Sequence, residues 1–203
     1  MDVFEALYTT RAMRRVKEDP IPEEIIKTMV DAAIRAPSGS NRQGWKFLVV
    51  TDPNIRKQLG DVYRETWDYY MKEFYGGKPD LGASEVGDDE KANQVIRISK
   101  SAGWLAENFH KVPVHFVILS RNDPTGSSIF PATWSLMLAG RAHGIGTCLT
   151  TVMSFKQKEA FEILGVPDDK GWTLNAVVTA GYPLGKWGVA ERNAVDEVTY
   201  LDK

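Results

Sequence analysis

Apolar residues recur at helical spacing in several stretches of this chain and gather into short uninterrupted runs between them. Ile25, Ile26, Met29, Val30, Ala33 and Ile34 fall on one face of a helix. Pro20-Ile21-Pro22-Glu23-Glu24 opens that helix, with proline in the first turn and acids near the positive end. Val3 to Thr9 predicts a short helix before it, and Thr10 to Arg15 reads as a polar, basic turn. Lys46 to Thr51, Pro113 to Ser120, Gly144 to Thr151 and Thr173 to Ala180 read as strands. Helices are expected from Ile55 to about Tyr75, from Ala92 to Phe109, from Ser128 to His143 and from Phe155 to Leu164. The helix at Ser128 is so rich in Phe130, Trp134, Leu136, Met137 and Leu138 that burial on most sides is expected. Gly76 to Asp89 breaks the pattern with Gly-Gly-Lys-Pro and scattered acids, an excursion rather than a boundary, because apolar periodicity resumes without a linker. Strands alternating with helices indicate an α/β or α+β domain covering residues 1–203.

Composition narrows the function. The chain has 203 residues, 25 Lys+Arg against 27 Asp+Glu, and 43% hydrophobic residues. That is enough apolar material for one core, and the near-neutral charge argues against a nucleic-acid-coating protein. One cysteine, Cys148, excludes an internal disulfide framework and a multi-cysteine metal site. No window approaches the roughly 20 apolar residues of a membrane span. Met1-Asp2-Val3-Phe4-Glu5 lacks the basic start of a secretory signal, so a cytoplasmic protein is expected.

Familiar catalytic motifs are missing. Gly144-Ile145-Gly146 lacks the third glycine of a dinucleotide fingerprint, since Leu stands at 149, and it follows a helix. Gly185-Lys186-Trp187 is not a phosphate loop, and no Gly-x-Ser-x-Gly or His-Glu-x-x-His occurs. His110 and His115 are poorly spaced for shared metal ligation, so no metal is expected. Chemistry in such a chain falls to a bound cofactor.

Two segments could hold one. Arg11, Arg14 and Arg15 cluster after the first helix, and Arg11 and Arg14 would share a side on a helical turn, a phosphate clamp of forked donors. Arg192 stands far along the chain in a polar segment. Pro37-Ser38-Gly39-Ser40-Asn41-Arg42-Gln43 offers short polar side chains and backbone that can lie against a flat heteroaromatic ring. The plain alternatives are a solvated basic turn and a helix-ending loop.

Arg11-Ala12-Met13-Arg14, Ala36-Pro37-Ser38-Gly39-Ser40-Asn41-Arg42-Gln43-Gly44-Trp45, His143-Gly144-Ile145-Gly146-Thr147-Cys148 and Gly181-Tyr182-Pro183 before Arg192 stand in the order of another known pattern. Together they resemble the nitroreductase superfamily of FMN-dependent oxidoreductases, from Val3 to Thr199. The resemblance implies an α+β, nitroreductase-like fold: a central mixed, mainly antiparallel sheet flanked by helices. It further implies an intertwined homodimer that exchanges a C-terminal arm, about residues 189–203. Two FMN molecules would sit at the subunit interface. Arg11, Ala12, Arg14 and Arg192 would surround the phosphate. Pro37, Ser38 and Gly39 would line the isoalloxazine, with Asn41 and Gln43 at its polar edge. Leu149, Thr150 and Thr151 would lie on its other side, near flavin N5. Trp67, Tyr69, Tyr70 and Phe74 would roof the site as part of a lid at about residues 65–92. Their plainer role is core packing.

The activity implied is a ping-pong cycle in which NAD(P)H reduces the flavin and leaves before a small nitro, quinone or enone acceptor takes its place. The family's serine is here Ala12, which removes a phosphate donor, and its proline is here Gly44, which loosens the turn. Thr150-Thr151 also resembles the threonine run of the iodotyrosine dehalogenase branch, as Glu65 and Tyr69 resemble part of its amino-acid clamp. The clamp's lysine corresponds to Ala106, so dehalogenation ranks second. A flavin carrier or sensor without turnover, or a plain phosphate- or nucleotide-binding module, is a further alternative.

Overall fold

The structure, a computed structural model, describes residues 1–76 and 89–202. Four strands, β1 (Trp45–Val50), β2 (Val114–Ser120), β3 (Gly146–Thr150) and β4 (Thr173–Gly181), form one sheet in the order β1-β2-β4-β3. Each neighbouring pair is antiparallel. The mixed character expected of the sheet reduces, among the described residues, to one isolated parallel bridge between Ala12 and Thr147 on the edge of β3.

The sheet is the middle of three layers, and the reason is visible along β2. All seven of its residues are buried, as a strand covered on both faces must be. Phe116 and Ile118 join the core under α2 (Glu23–Ala33) and α5 (Ile129–Ala142), with Met29, Ile129 and Leu136. Val117 and Leu119 join the opposite core, with Leu59, Leu105, Phe109 and Phe161. That second layer is built by α3 (Pro53–Tyr75), α4 (Asp89–Asn108) and α6 (Gln157–Leu164). β4 keeps both faces matched through a bulge, with Ile118 opposite Ala176 and Leu119 opposite Leu174, so that Asn175 is the extra residue.

Helix ends follow local chemistry. Asp2 caps α1 (Val3–Thr9) by accepting from the N–H groups of Phe4 and Glu5. Asp52 does the same for α3 at Asn54 and Ile55, and Pro53 occupies the first turn. α3 closes on Gly76 at φ 58°, whose N–H donates to the Met71 carbonyl.

The expected excursion from Gly76 to Asp89 falls largely on residues 77–88, outside the described residues, and the lid reading of about 65–92 includes them. One sequence expectation needs correction. Phe130 and Trp134 on α5 are 39% and 41% exposed, so this helix keeps an apolar outer face rather than burial on most sides. The tail is extended except for the short helix α7 (Val195–Val198), and Val195, Val198, Tyr200 and Leu201 are all exposed. No described helix is long and apolar enough to cross a membrane.

Candidate functional site

Residues 10–16 are not a helical turn. The Met13 N–H donates to the Thr147 carbonyl at 2.8 Å, and Val16 bridges Pro183, so this stretch runs along the sheet as extended chain. Burial falls on every third residue, at Thr10, Met13 and Val16, whereas Arg11, Ala12 and Arg15 are exposed and Arg14 is half-buried. Arg14 lines a cavity, and Arg11 is exposed and stands outside that lining. Gly146 makes the approach possible, because a Cβ there would meet the Met13 Cβ at 2.8 Å.

Arg14 enters a cavity of about 250 Å³ between α3, α4 and the end of β3. Leu149, Thr150 and Thr151 form one wall, and Trp67 and Tyr70 of α3 line it from the other direction. Four residues expected at a shared site, Arg14 and Leu149 to Thr151, thus meet although some 135 positions separate them. β3 is an edge strand, so beyond its bridge to Ala12 it presents ladder groups to this side.

The floor is rigid and polar only at chosen points. Tyr63 is 2% exposed and its ring stacks on Phe109 with centroids 4.1 Å apart, while Phe109 packs on His115 at 4.2 Å. The Tyr63 hydroxyl lies 3.0 Å from Thr150 Oγ1. Burial pushes the phenol up to about 12, against the lowering pull of the Thr150 hydrogen bond. Burial also raises the Cys148 thiol, and the neighbouring Arg14 guanidinium opposes it. His115 is fully buried and is pushed down to about 3, chiefly by desolvation, with Nε2 3.0 Å from the Phe109 carbonyl oxygen.

Other expected residues lie elsewhere. Tyr69 and Phe74 are 49% and 58% exposed and pack on Phe155 outside the cavity, at 6.0 and 5.7 Å, whereas Tyr75 does line it. Ser38 and Gly39 line a separate cleft of about 140 Å³ with Arg121, Asp123 and Ser128. Pro37, Asn41 and Gln43 are exposed beside it. The bend is set by left-handed backbone at Ser40, Asn41 and Gln43, with φ 53°, 51° and 50°. Such conformations are costly for non-glycine residues and cluster where a loop is held in shape for a ligand. The Gln43 N–H donates to Ser38 Oγ at 3.0 Å, and Gln43 Nε2 donates to Asn41 Oδ1 at 3.2 Å. Gly44 is no loosened turn: a Cβ there would stand 2.6 Å from the Arg121 carbonyl oxygen, so the family's proline would not fit. Arg192 is exposed and donates to the Glu191 carbonyl.

Sequence reasoning missed Lys156. Its ammonium lies 2.5 Å from Glu65 Oε2, beside the aromatic cluster of Tyr69 and Phe155. Ala106, the position matched to a clamp lysine, is 2% exposed in the core. Ninety-one residues separate Glu65 from Lys156, so no local spacing announced the pair.

Comparison with known proteins bears on this arrangement. The profile described as "Nitroreductase family" matches residues 7–182. "NADH dehydrogenase" of Thermus thermophilus is 39% identical over 209 residues, covering 98% of this chain and 95% of its own. "Iodotyrosine deiodinase 1" of Rattus norvegicus is 27% identical over 121 residues, 59% of this chain and 37% of its own, so the match spans little more than a third of that relative. Among solved structures, the FMN-dependent nitroreductase NfnB from Mycobacterium smegmatis, in complex with NADPH, superposes with a TM-score of 0.71. It is 22% identical and covers 98% of this chain and 97% of that one.

Proposed function

The chain belongs to the nitroreductase family, and from that premise we propose that it is an FMN-dependent oxidoreductase that passes electrons from NAD(P)H to small aromatic or conjugated acceptors. The observation that carries the reading is the cavity in which Arg14 and the Leu149-Thr150-Thr151 wall meet under Trp67 and Tyr70. Its donor set suits a flat heteroaromatic with a polar rim: one guanidinium, the hydroxyls of Thr150 and Thr151, those of Tyr63, Tyr70 and Tyr75, a strand edge, and otherwise ring and aliphatic surface. Bound FMN supplies the electron relay between the two substrates.

The chain's own residues do the rest. Arg14, with Arg11 and Arg192, offers charged donors to the phosphate, and Ala12 adds backbone only. The wall at Leu149 to Thr151 orients the ring near N5. Trp67 and Tyr70 give the acceptor a flat apolar surface and exclude water. The Pro37-Ser38-Gly39 bend, with Asn41 and Gln43, closes the opposite side from a second copy in a homodimer, whose arm at about residues 189–203 wraps this one. This division of labour fits a bend that is preformed yet lines a different cleft of its own chain.

The test is to load the protein with FMN and follow oxidation of NADH and NADPH with quinones, nitroaromatics and enones. Brisk turnover supports the reductase. A yellow protein without turnover would make it a carrier, and a protein that gains no flavin absorbance would sink the reading. Changing both Arg11 and Arg14 to Ala should weaken FMN binding by several kcal/mol, from about 1.5–3 kcal/mol per charged hydrogen bond, read by titration.

A second reading, reductive dehalogenation of a halogenated aromatic amino acid, is favoured by Lys156. It supplies, beside Glu65 and close to Tyr69, the cation that Ala106 cannot. Oxidation of the pre-reduced protein by halotyrosines, lost in Lys156→Ala, would select it.

A further inference from the structure

The hydroxyl of Thr150 lines the cavity with two neighbours already placed against it, and these restrict what it can do. A threonine hydroxyl has one hydrogen and two acceptor sites. The Val152 N–H donates toward Thr150 Oγ1 at 3.4 Å, a long contact that takes up one of those sites. Tyr63 Oη is 3.0 Å away on the other side. Between phenol and alcohol, the phenol is the stronger acid and the poorer acceptor, because its lone pair is shared with the ring. That chemistry assigns the donor role to Tyr63 and the acceptor role to Thr150 while the phenol is protonated, the 3.0 Å separation being the same in either direction. With both acceptor sites engaged, the remaining hydrogen of Thr150 has one open direction, the cavity that Thr150 itself lines.

Tyr63 is well suited to hold this polarity. It sits on α3 at 2% exposure, clamped flat against Phe109 with an interplanar angle of 14°. A buried aromatic in that packing has little rotamer freedom, so its hydroxyl is delivered to a fixed point. The burial that keeps the phenol protonated, up to about 12, keeps it a donor throughout the working pH range.

We propose that Tyr63 is a positioning residue that commits the Thr150 hydroxyl to donating into the cavity, toward the N5 edge of the flavin. The proposal rests on the FMN reading above. It gives the site a directional bias. The ring nitrogen N5 accepts a hydrogen bond when oxidised and carries a hydrogen when reduced. A hydroxyl locked as a donor therefore favours the oxidised ring and lowers its midpoint potential. Freed of Tyr63, the same hydroxyl can turn its lone pair toward the reduced ring.

The experiment uses FMN-loaded wild type, Tyr63→Phe, Thr150→Val and the double variant. Midpoint potentials are measured by equilibration with a reference dye, and oxidised-FMN affinity by fluorescence titration. Both single variants should raise the potential and weaken oxidised-FMN binding by about 3- to 10-fold, the size of one net hydrogen bond. The double variant should match Thr150→Val alone, because Tyr63 acts only through Thr150. Thr150→Ser, which keeps a hydroxyl, should restore the response to Tyr63→Phe and serves as the host should the valine variant fail to fold. An unchanged potential in Tyr63→Phe, or effects of the two changes that simply add, would overturn the proposal while FMN binding still stood. A wild-type protein that binds no FMN would overturn the functional reading and this proposal with it.

Discussion

Gly44 shows how one missing carbon sets a bend. Its carbonyl accepts from the Arg121 N–H at 2.8 Å, and a Cβ would stand 2.6 Å from the Arg121 carbonyl oxygen. Gly44→Ala should therefore destabilise the fold by about 1–3 kcal/mol, the cost of forcing backbone apart, measurable by urea unfolding. His115 makes a different prediction. Its folded-state value near 3 lies far below the ordinary 6.5, so the unfolded chain binds the extra proton first as pH falls. The stability this neutral histidine carries is present above pH 6.5 and is lost as pH drops toward 3. Between pH 6.5 and 5.5 the wild type should lose about 1 kcal/mol more than His115→Gln in paired denaturation curves. At this scale the sequence was legible where residue type alone names the chemistry, as with Arg14 and Thr150. It was not legible where chemistry depends on a distant neighbour: Lys156 finds Glu65 only through the fold, and Tyr63 gives Thr150 its direction only because α3 lies across β3.

Periodicity located the helices and strands because each has one consistent burial pattern. The strand at Pro113 read as apolar apart from His115 and Ser120, and β2 is buried on both faces. The basic turn at Thr10 to Arg15 misled for a reason of the same kind. A six-residue segment has too few positions to separate a helical period near 3.6 from the period of three that its burial follows, and its bond to Thr147 settled the matter. That bond links the start of the chain to the cavity wall. Gly146→Val would press a side chain into Met13 and lift the segment that carries Arg14. FMN affinity in this variant should fall by at least 10-fold, while the far-UV circular dichroism changes little, since no helix depends on the contact.

Across the whole chain, the apolar surface is uneven. Val3, Phe4 and Tyr8 of α1, Phe130 and Trp134 of α5, and the side chains from Val195 to Leu201 are all exposed. Arg141, 8% exposed, ties α1 and α5 to the segment that precedes the tail: Nε donates to Thr9 Oγ1 at 2.9 Å, and its guanidinium lies 4.2 Å from the Trp187 ring centroid. Apolar patches of this kind mark association surfaces. Sedimentation should give a homodimer, and truncation after Gly188 should shift it toward monomer and strip FMN with it. A truncated chain that remained a flavin-loaded dimer would remove the arm from the assembly. The resemblance could mark the tail as an arm, but its own pattern does not say what it covers, because a partner's surface leaves no periodicity in the segment that meets it.

The bridge between Ala12 and Thr147 also sets a schedule. As the chain leaves the ribosome, Ala12 must wait for Thr147, and Thr147 in turn for β4, the strand that holds β3 in the sheet. For the proposed flavin site this means that no nascent fragment ending before β4 should take up FMN, and that capture would report a closed sheet.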